Sequence, residues 1–279
     1  MAEWVEIVVT VADDLAEDVA AAVAPNGAQL RDGEVVFWVE WDRQEAAVAA
    51  ARAAVGAFGL APSAVAARPA VPESEWRDAW KRYFRVERVT DRIVIVPSWE
   101  RYEPSPGDVV LHLDPGMAFG TGSHASTQLC LAAVERIDPV DRFLDLGTGS
   151  GILAIAAAKL WPDATGVAVD IDPLAVDAAR DNATRNGVGA RVECALRPID
   201  AIGERFPLIL ANIQAPVHLA LRDPMVARLA PGGTLVLSGL LTEQVVEVAD
   251  AFVAAGLRRV RVDRSERDPE WSSIELRAP

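Results

Sequence analysis

The sequence predicts an α/β protein: a doubly wound, mostly parallel sheet preceded by a small α+β domain. Three observations predict it. From Asp141 onward, short β-rich runs alternate with helical patterns of about ten to fifteen residues, the rhythm of a parallel sheet covered by helices. The run "FLDLGTGSGILAIAAAKL", Phe143 to Leu160, sets Gly147, Gly149 and Gly151 between an apolar strand and an apolar helix. The 279 residues exceed the usual size of one domain, and 51% of them are hydrophobic, enough for two cores.

Residues 1–70 read as the small domain. "WVEIVVTV" is a strand, and "DDLAEDVAAAVAPNG" a helix with acidic residues in its first turn and Pro-Asn-Gly after its last. "AQLRDGEVVFWVEW" holds two strands around the Asp32-Gly33 turn. An alanine-rich helix begun by Asp42 follows, and "SAVAARPAV" closes the unit as a strand. Strand, helix, strand, strand, helix, strand is the ferredoxin-like order, which by itself implies no activity.

Residues 71–85 predict a linker helix. Pro72 breaks the chain, and Trp76, Trp80, Tyr83 and Phe84 gather mainly on one helical face, a packing stripe that joins the two domains. Residues 86–279 form the larger domain. It opens with a hairpin over "RVTDRIVIVPSW" and a strand in "DVVLHL", then a loop with Gly116, Gly120 and Gly122 that leads into a helix. The alternating pattern follows: "RFLDLG", "TGVAVDID", "RVECA", "FPLILANI", "TLVLSGL" and "RRVRVDRS" as strands, with helices between them, including one over "VHLALRDPMVARLA". A ligand of such a sheet belongs at the carboxyl ends of its strands.

Gly147, Gly149 and Gly151 fall where the first of these strands turns into its helix. Backbone lacking Cβ atoms lets a ligand come close, and a helix amino terminus offers unpaired N–H groups. The spacing is G-x-G-x-G with Ile152 next, which departs from the dinucleotide pattern G-x-G-x-x-G. Asp170 closes the second strand, where a carboxylate accepts hydrogen bonds from ribose hydroxyls; Asp172, followed by Pro173, suits a helix N-cap. A ribose ligand without a pyrophosphate fits both features, and S-adenosyl-L-methionine is one. Asn212 ends the apolar run "LILAN", either to terminate the strand or to accept a hydrogen bond from an incoming amine. Thr127, after the glycine-rich loop, lies in reach of the same ligand.

Net charge and cysteine usage narrow the classes. The chain carries −14, and residues 1–70 hold eleven acidic side chains against four arginines, which repels nucleic acid and suits a basic partner. Cys130 and Cys194 are the only cysteines, so neither a disulfide framework nor a thiolate metal site is expected. No apolar run reaches the ~20 residues of a membrane span, and "MAEWVEIVV" is unlike a signal peptide. A cytoplasmic protein without metal, membrane or nucleic acid is the expectation.

The runs "DPGMAFGTGSHASTQLCL", "LDLGTGSGILAIAAAKL", "VDIDPLAVDAARDNATRNGV", "LILANI", "LAPGGTLVLSGLL" and "EWRDAWKRYF" together resemble the bacterial ribosomal protein L11 methyltransferases, the PrmA family, over essentially the whole chain. The resemblance implies a Rossmann-like class I methyltransferase domain and a ferredoxin-like domain that holds the protein substrate. It implies S-adenosyl-L-methionine as cofactor, bound by Thr127, Gly147, Gly149, Asp170 and Asn212, with Asn212 also catalytic. The implied reaction methylates lysine ε-amines of ribosomal protein L11, with the N-terminal α-amine a further candidate; a related enzyme acting on another protein or a small amine is the alternative. A monomer is expected. His124 is a candidate base only by its place in the loop, a structural role being the other reading. "HAST", "GTGSG" and "NIQAP" depart from the family's commoner His-Pro-Thr-Thr, Gly-Cys-Gly-Ser-Gly and Asn-Ile-Leu-Ala, and Gln214 bears on substrate choice more than on the cofactor.

Overall fold

The structure is a computed structural model that describes residues 4–24, 28–31, 33–69, 84–114 and 122–279. The chain divides into two compact units, Met1–Arg82 and Tyr83–Pro279. The aromatic linker helix expected over 71–85 lies almost wholly outside the described residues, as do Asp32 and the glycine-rich stretch 115–121.

The first unit contains β1 (Trp4–Thr10), α1 (Ala16–Val23), β2 (Gln29–Arg31), β3 (Glu34–Glu40), α2 (Gln44–Val55) and β4 (Val65–Pro69). Its sheet runs β2-β3-β1-β4, every neighbouring pair antiparallel, which is the ferredoxin-like arrangement. Alternation along the strands sends Val5, Ile7, Val9, Val35 and Phe37 to one face, where they meet Val19 of α1 and Ala51 and Val55 of α2. One boundary differs from expectation: a 3-10 turn over Trp41–Arg43 precedes α2, so the helix starts at Gln44 and not at Asp42.

The second unit opens with β5 (Glu87–Arg88) and β6 (Ile93–Val96), an antiparallel hairpin, beside which β7 (Val109–His112) lies parallel. α3 (Ala125–Arg136) leads into the main sheet. Its members are β8 (Arg142–Leu146), α4 (Ile152–Leu160), β9 (Thr165–Asp170), α5 (Pro173–Arg185), β10 (Val192–Leu196), β11 (Phe206–Asn212), α6 (Ala215–Ala220), α7 (Arg222–Arg228), β12 (Leu229–Leu241), α8 (Val245–Ala254), β13 (Arg258–Arg264) and β14 (Trp271–Arg277). The strand order is β10-β9-β8-β11-β12-β14-β13, parallel from β10 to β12 and antiparallel at β14 and β13. Each face of the sheet has its own core, one around Phe143, Ile155 and Leu210, the other around Leu144, Ile209 and Phe252.

Two features of this unit depart from the sequence reading. β14, "WSSIELR", went unread, and it wedges antiparallel between β12 and β13. The single helix expected over "VHLALRDPMVARLA" is two, because Pro224 has no N–H to give to the preceding turn and its ring clashes there; the chain restarts as α7, with Pro224 in the first turn. No helix among the described residues is long and apolar enough to cross a membrane.

Candidate functional site

Strand order reverses at β8 and β11, which opens a crevice at their carboxyl ends. Beyond Leu146 the chain turns through Gly147, Gly149 and Gly151, at φ of +70°, +54° and +83°. A Cβ on Gly147 would stand 2.5 Å from Ile213 Cγ2, just past the end of β11, so only glycine lets the two strand ends close up. The turn is pinned from both sides. Gly147 and Thr148 donate their backbone N–H groups to the Val169 carbonyl of β9 at 2.9 and 3.0 Å, and Asn182 of α5 donates Nδ2 to the Ser150 carbonyl at 2.9 Å.

Asp170 stands at the end of β9, half-buried, beside this turn. Its Oδ2 accepts the Gly149 N–H at 3.0 Å, and its Oδ1 accepts those of Ile171 at 2.8 Å and Asp172 at 3.1 Å. Three backbone donors hold the carboxylate in one orientation without using all its lone pairs. Asp172 is the N-cap of α5: its Oδ1 accepts the Leu174 N–H at 2.9 Å, with Pro173 in the first helical position. Beside Asp170 lies an apolar ledge, Ile171 at 82% exposure and Leu196 at 57%, the latter facing Asp170 in the β9–β10 register.

Across the crevice, Asn212 donates Nδ2 to Thr127 Oγ1 of α3 at 3.1 Å. Thr127 is fully buried, and Asn212 Oδ1 is buried with no donor among the described residues. A buried acceptor left open at a strand end is costly unless a ligand fills it. The structure thus brings together Thr127, Gly147 and Asn212 around the β8–β11 reversal, with Gly149 and Asp170 on its β9 side. His124 acts as the N-cap of α3: its Nδ1 accepts the Ser126 N–H at 3.3 Å, and its ring meets Trp271 edge-on at 4.5 Å. This gives His124 a structural role. Gln214 precedes α6, exposed, and makes no capping bond.

One buried group escaped the sequence reading. Asp145, in the middle of "FLDLG", is fully buried below the glycine turn; its Oδ2 accepts Thr148 Oγ1–H at 2.7 Å and the Ala154 N–H at 3.1 Å, while Oδ1 has no partner among the described residues. Burial pushes its carboxyl up to about 6, against the pull of those two hydrogen bonds. The signal was present: an acid inside an apolar strand, at the parity of inward-facing Phe143.

Comparison with known proteins gives this geometry a lineage. The family model for ribosomal protein L11 methyltransferase (PrmA) matches residues 5–279. The chain belongs to that family. A ribosomal protein L11 methyltransferase of Pelotomaculum thermopropionicum is 36% identical over 99% of this chain and 98% of its own length. That of Syntrophotalea carbinolica is 45% identical over 73% of this chain, the alignment spanning 66% of the relative. Among solved structures, the ribosomal protein L11 methylase of Lactobacillus delbrueckii subsp. bulgaricus superposes with a TM-score of 0.64 at 32% identity, covering 70% of this chain and all of that one. As a member of this family the protein is a methyltransferase that uses S-adenosyl-L-methionine. The pinned glycine turn and the Asp170 carboxylate fit that cofactor: a close approach for the chain and an acceptor for ribose hydroxyls.

Proposed function

We propose that this chain methylates lysine ε-amino groups of ribosomal protein L11, and its N-terminal α-amine, with Thr127, Gly147, Gly149, Asp170 and Asn212 holding the cofactor and Asn212 also meeting the amine. The observation that carries the reading is the Asn212–Thr127 pair, whose one open oxygen lies beside the glycine turn. When bound, the cofactor supplies an activated methyl group on a sulfonium, so the protein needs no strong acid. Its own residues position and exclude water. Asp170 accepts the ribose hydroxyls, and the Ile171–Leu196 ledge takes the flat base. Thr127 fixes the Asn212 amide, leaving Oδ1 to accept an N–H of the amine and aim its lone pair. The ammonium must shed its proton first, which the apolar surroundings of Ile213 favour.

The first unit serves as the grip on the protein substrate, its acidic balance matching a basic partner. No nucleic acid, membrane or metal takes part in this reading, and a cytoplasmic monomer is its setting. Among the described residues, no three His, Cys, Asp or Glu side chains gather as metal ligands would. The test is intact-mass analysis of ribosomal protein L11 after incubation with the full chain and S-adenosyl-L-methionine. Mass increments of whole methyl groups, located on lysines or the amino terminus by peptide sequencing, are expected. An unmodified ribosomal protein beside tight cofactor binding would transfer the reading to the alternative, another protein's lysines or a small amine.

A further inference from the structure

We propose that Ser238 and His218 are positioning residues that lock the first turn of α3 to the sheet and so set the geometry of the Thr127–Asn212 pair. The inference rests on the assignment of that pair to the active site. Ser238 stands directly across from Asn212 in the parallel register of β11 and β12. Its Oγ donates to the Ser126 carbonyl at 2.9 Å, while one strand over Asn212 donates to Thr127 at 3.1 Å. Two neighbouring strands thereby grip two consecutive residues of one helical turn. Losing either bond lets that turn pivot about the other.

Ser238 reaches α3 by ordinary alternation, at the parity of Val236, which packs with Leu131 and Val134 of that helix, and β12 is irregular on its other edge there. The β12–β14 ladder shifts register between Leu237 and Leu240, and Ser238 and Gly239 fall in the break. Bulges of this kind occur beside active sites. Gly239, at φ +77°, comes so near the site that a Cβ on it would lie 2.5 Å from the carbonyl oxygen of Ile213, the residue after Asn212. A shift of the Ser238–Gly239 segment is therefore felt by the backbone that carries Asn212.

His218 of α6 holds that segment still. Its Nε2 lies 2.8 Å from the Ser238 carbonyl, and a carbonyl only accepts, so Nε2 carries the proton. Nδ1 is buried without a hydrogen bond of ordinary geometry among the described residues, and the Ile213 backbone also acts on the ring. A leucine would fill the same fully buried place without an orphaned nitrogen. What the histidine adds is one N–H aimed at the bulged strand. The chain Asn212–Thr127, Ser126–Ser238, Ser238–His218 is continuous, and its four outer members, Ser126, Thr127, His218 and Ser238, are all at most 2% exposed.

The test is a set of double-mutant cycles on the full chain, reading kcat and KM for ribosomal protein L11 together with the affinity for S-adenosyl-L-methionine. Ser238→Ala and His218→Leu should each lower kcat about five- to tenfold, the size a lost buried hydrogen bond carries, with KM for the protein substrate unchanged. Neither should lower it further in a Thr127→Val background, where the geometry they set is already lost. His218→Gln, which can present an N–H at the same place, should recover most of the His218→Leu loss. Losses that are the same with and without Thr127→Val would mean general destabilisation and would overturn the clamp, as would kcat unchanged in both variants. Should Ser238→Ala fail to fold, the comparison of His218→Leu with His218→Gln decides alone, since equal activities overturn the proposal. Thr127→Val and Asn212→Ala that left both transfer and cofactor affinity intact would overturn the site assignment itself. A crippled Thr127→Val beside a silent Ser238→Ala would overturn only the clamp.

Discussion

A carboxylate that is buried, bonded through one oxygen and bare at the other is an expensive residue, and Asp145 is such a group. Its folded-state pKa of about 6 lies above the unfolded value, so the folded chain holds a proton that the unfolded chain has released. Stability from this group is whole below about pH 4, falls as pH rises towards 6, and is absent above. Asp145→Asn should therefore raise the unfolding free energy by about 3 kcal/mol at pH 7.5 and by much less at pH 4, as urea titrations at the two pH values would show. His218 works in the opposite direction: burial lowers it to about 4, so its contribution is whole above pH 6.5 and is lost as pH falls to 4. The two slopes oppose each other between pH 4 and 6, and either mutation alone should uncover the other. Asp170 raises a different question, because it holds the Gly149 N–H as well as facing the proposed ribose site. Asp170→Ala should weaken S-adenosyl-L-methionine binding by at least about tenfold, since hydrogen bonds to a charged acceptor are worth about 1.5–3 kcal/mol, while circular dichroism stays native. Unchanged affinity in a calorimetric titration would remove Asp170 from the site. Residues of this kind divide by legibility. Asp170 and Asn212 could be read because each ends an apolar run, where a polar side chain needs a reason. Ser238 and His218 sit inside such runs, and only the three-dimensional register shows that their polar atoms converge.

The elements that sequence patterning identified are those whose periodicity and punctuation agree. β8, β9 and β11 are short apolar strands that end at or just before Gly, Asp or Asn, and α4 and α5 begin directly after Gly151 and Asp172, as glycine turns and N-caps dictate. β14 was missed because "EWSSIELR" is half polar: Ser272 and Ser273 are buried together with Ile274 and Leu276, in a strand enclosed by neighbours on both edges. Its hydroxyls make it look like a surface segment. The β8–α4 turn is the element on which the site depends most, and it can be tested as a unit. Gly147→Ala forces an L-residue to φ +70° and drives its Cβ into Ile213. The left-handed backbone costs about 1–2 kcal/mol, and the clash adds to it. The substitution should lower stability by about 2 kcal/mol or more in the native background. In an Ile213→Ala background the clash disappears and only the backbone cost should remain, a difference that chemical denaturation of the four chains measures. Equal losses in both backgrounds would mean that Ile213 moves aside freely and that the close approach is not a constraint.

At the scale of the whole molecule, the proposed function assigns the two units different work. Every proposed cofactor residue lies in Tyr83–Pro279, whose sheet has a core on each face, whereas the first unit has a core of its own. That unit carries the acidic excess of residues 1–70, eleven carboxylates against four arginines. A separate acidic domain can hold a basic protein while the tethered sheet meets several of its amines, and tethering raises their effective concentration to about the millimolar range for a short linker. A chain beginning near Val71 should then bind S-adenosyl-L-methionine with an affinity near that of the full protein and yet methylate ribosomal protein L11 poorly, chiefly through a raised KM. Salt should act on the same step. With charges screened over ~10 Å at 0.1 M ionic strength, rising salt should weaken substrate capture by the full chain and leave cofactor affinity almost unchanged. The shortened enzyme, lacking the acidic unit, should show little of that salt dependence. Initial rates on the intact ribosomal protein across a salt series, for both chains, decide the matter: a shortened enzyme that matches the full rate, or one with the same salt slope, would mean that recognition resides in the catalytic unit.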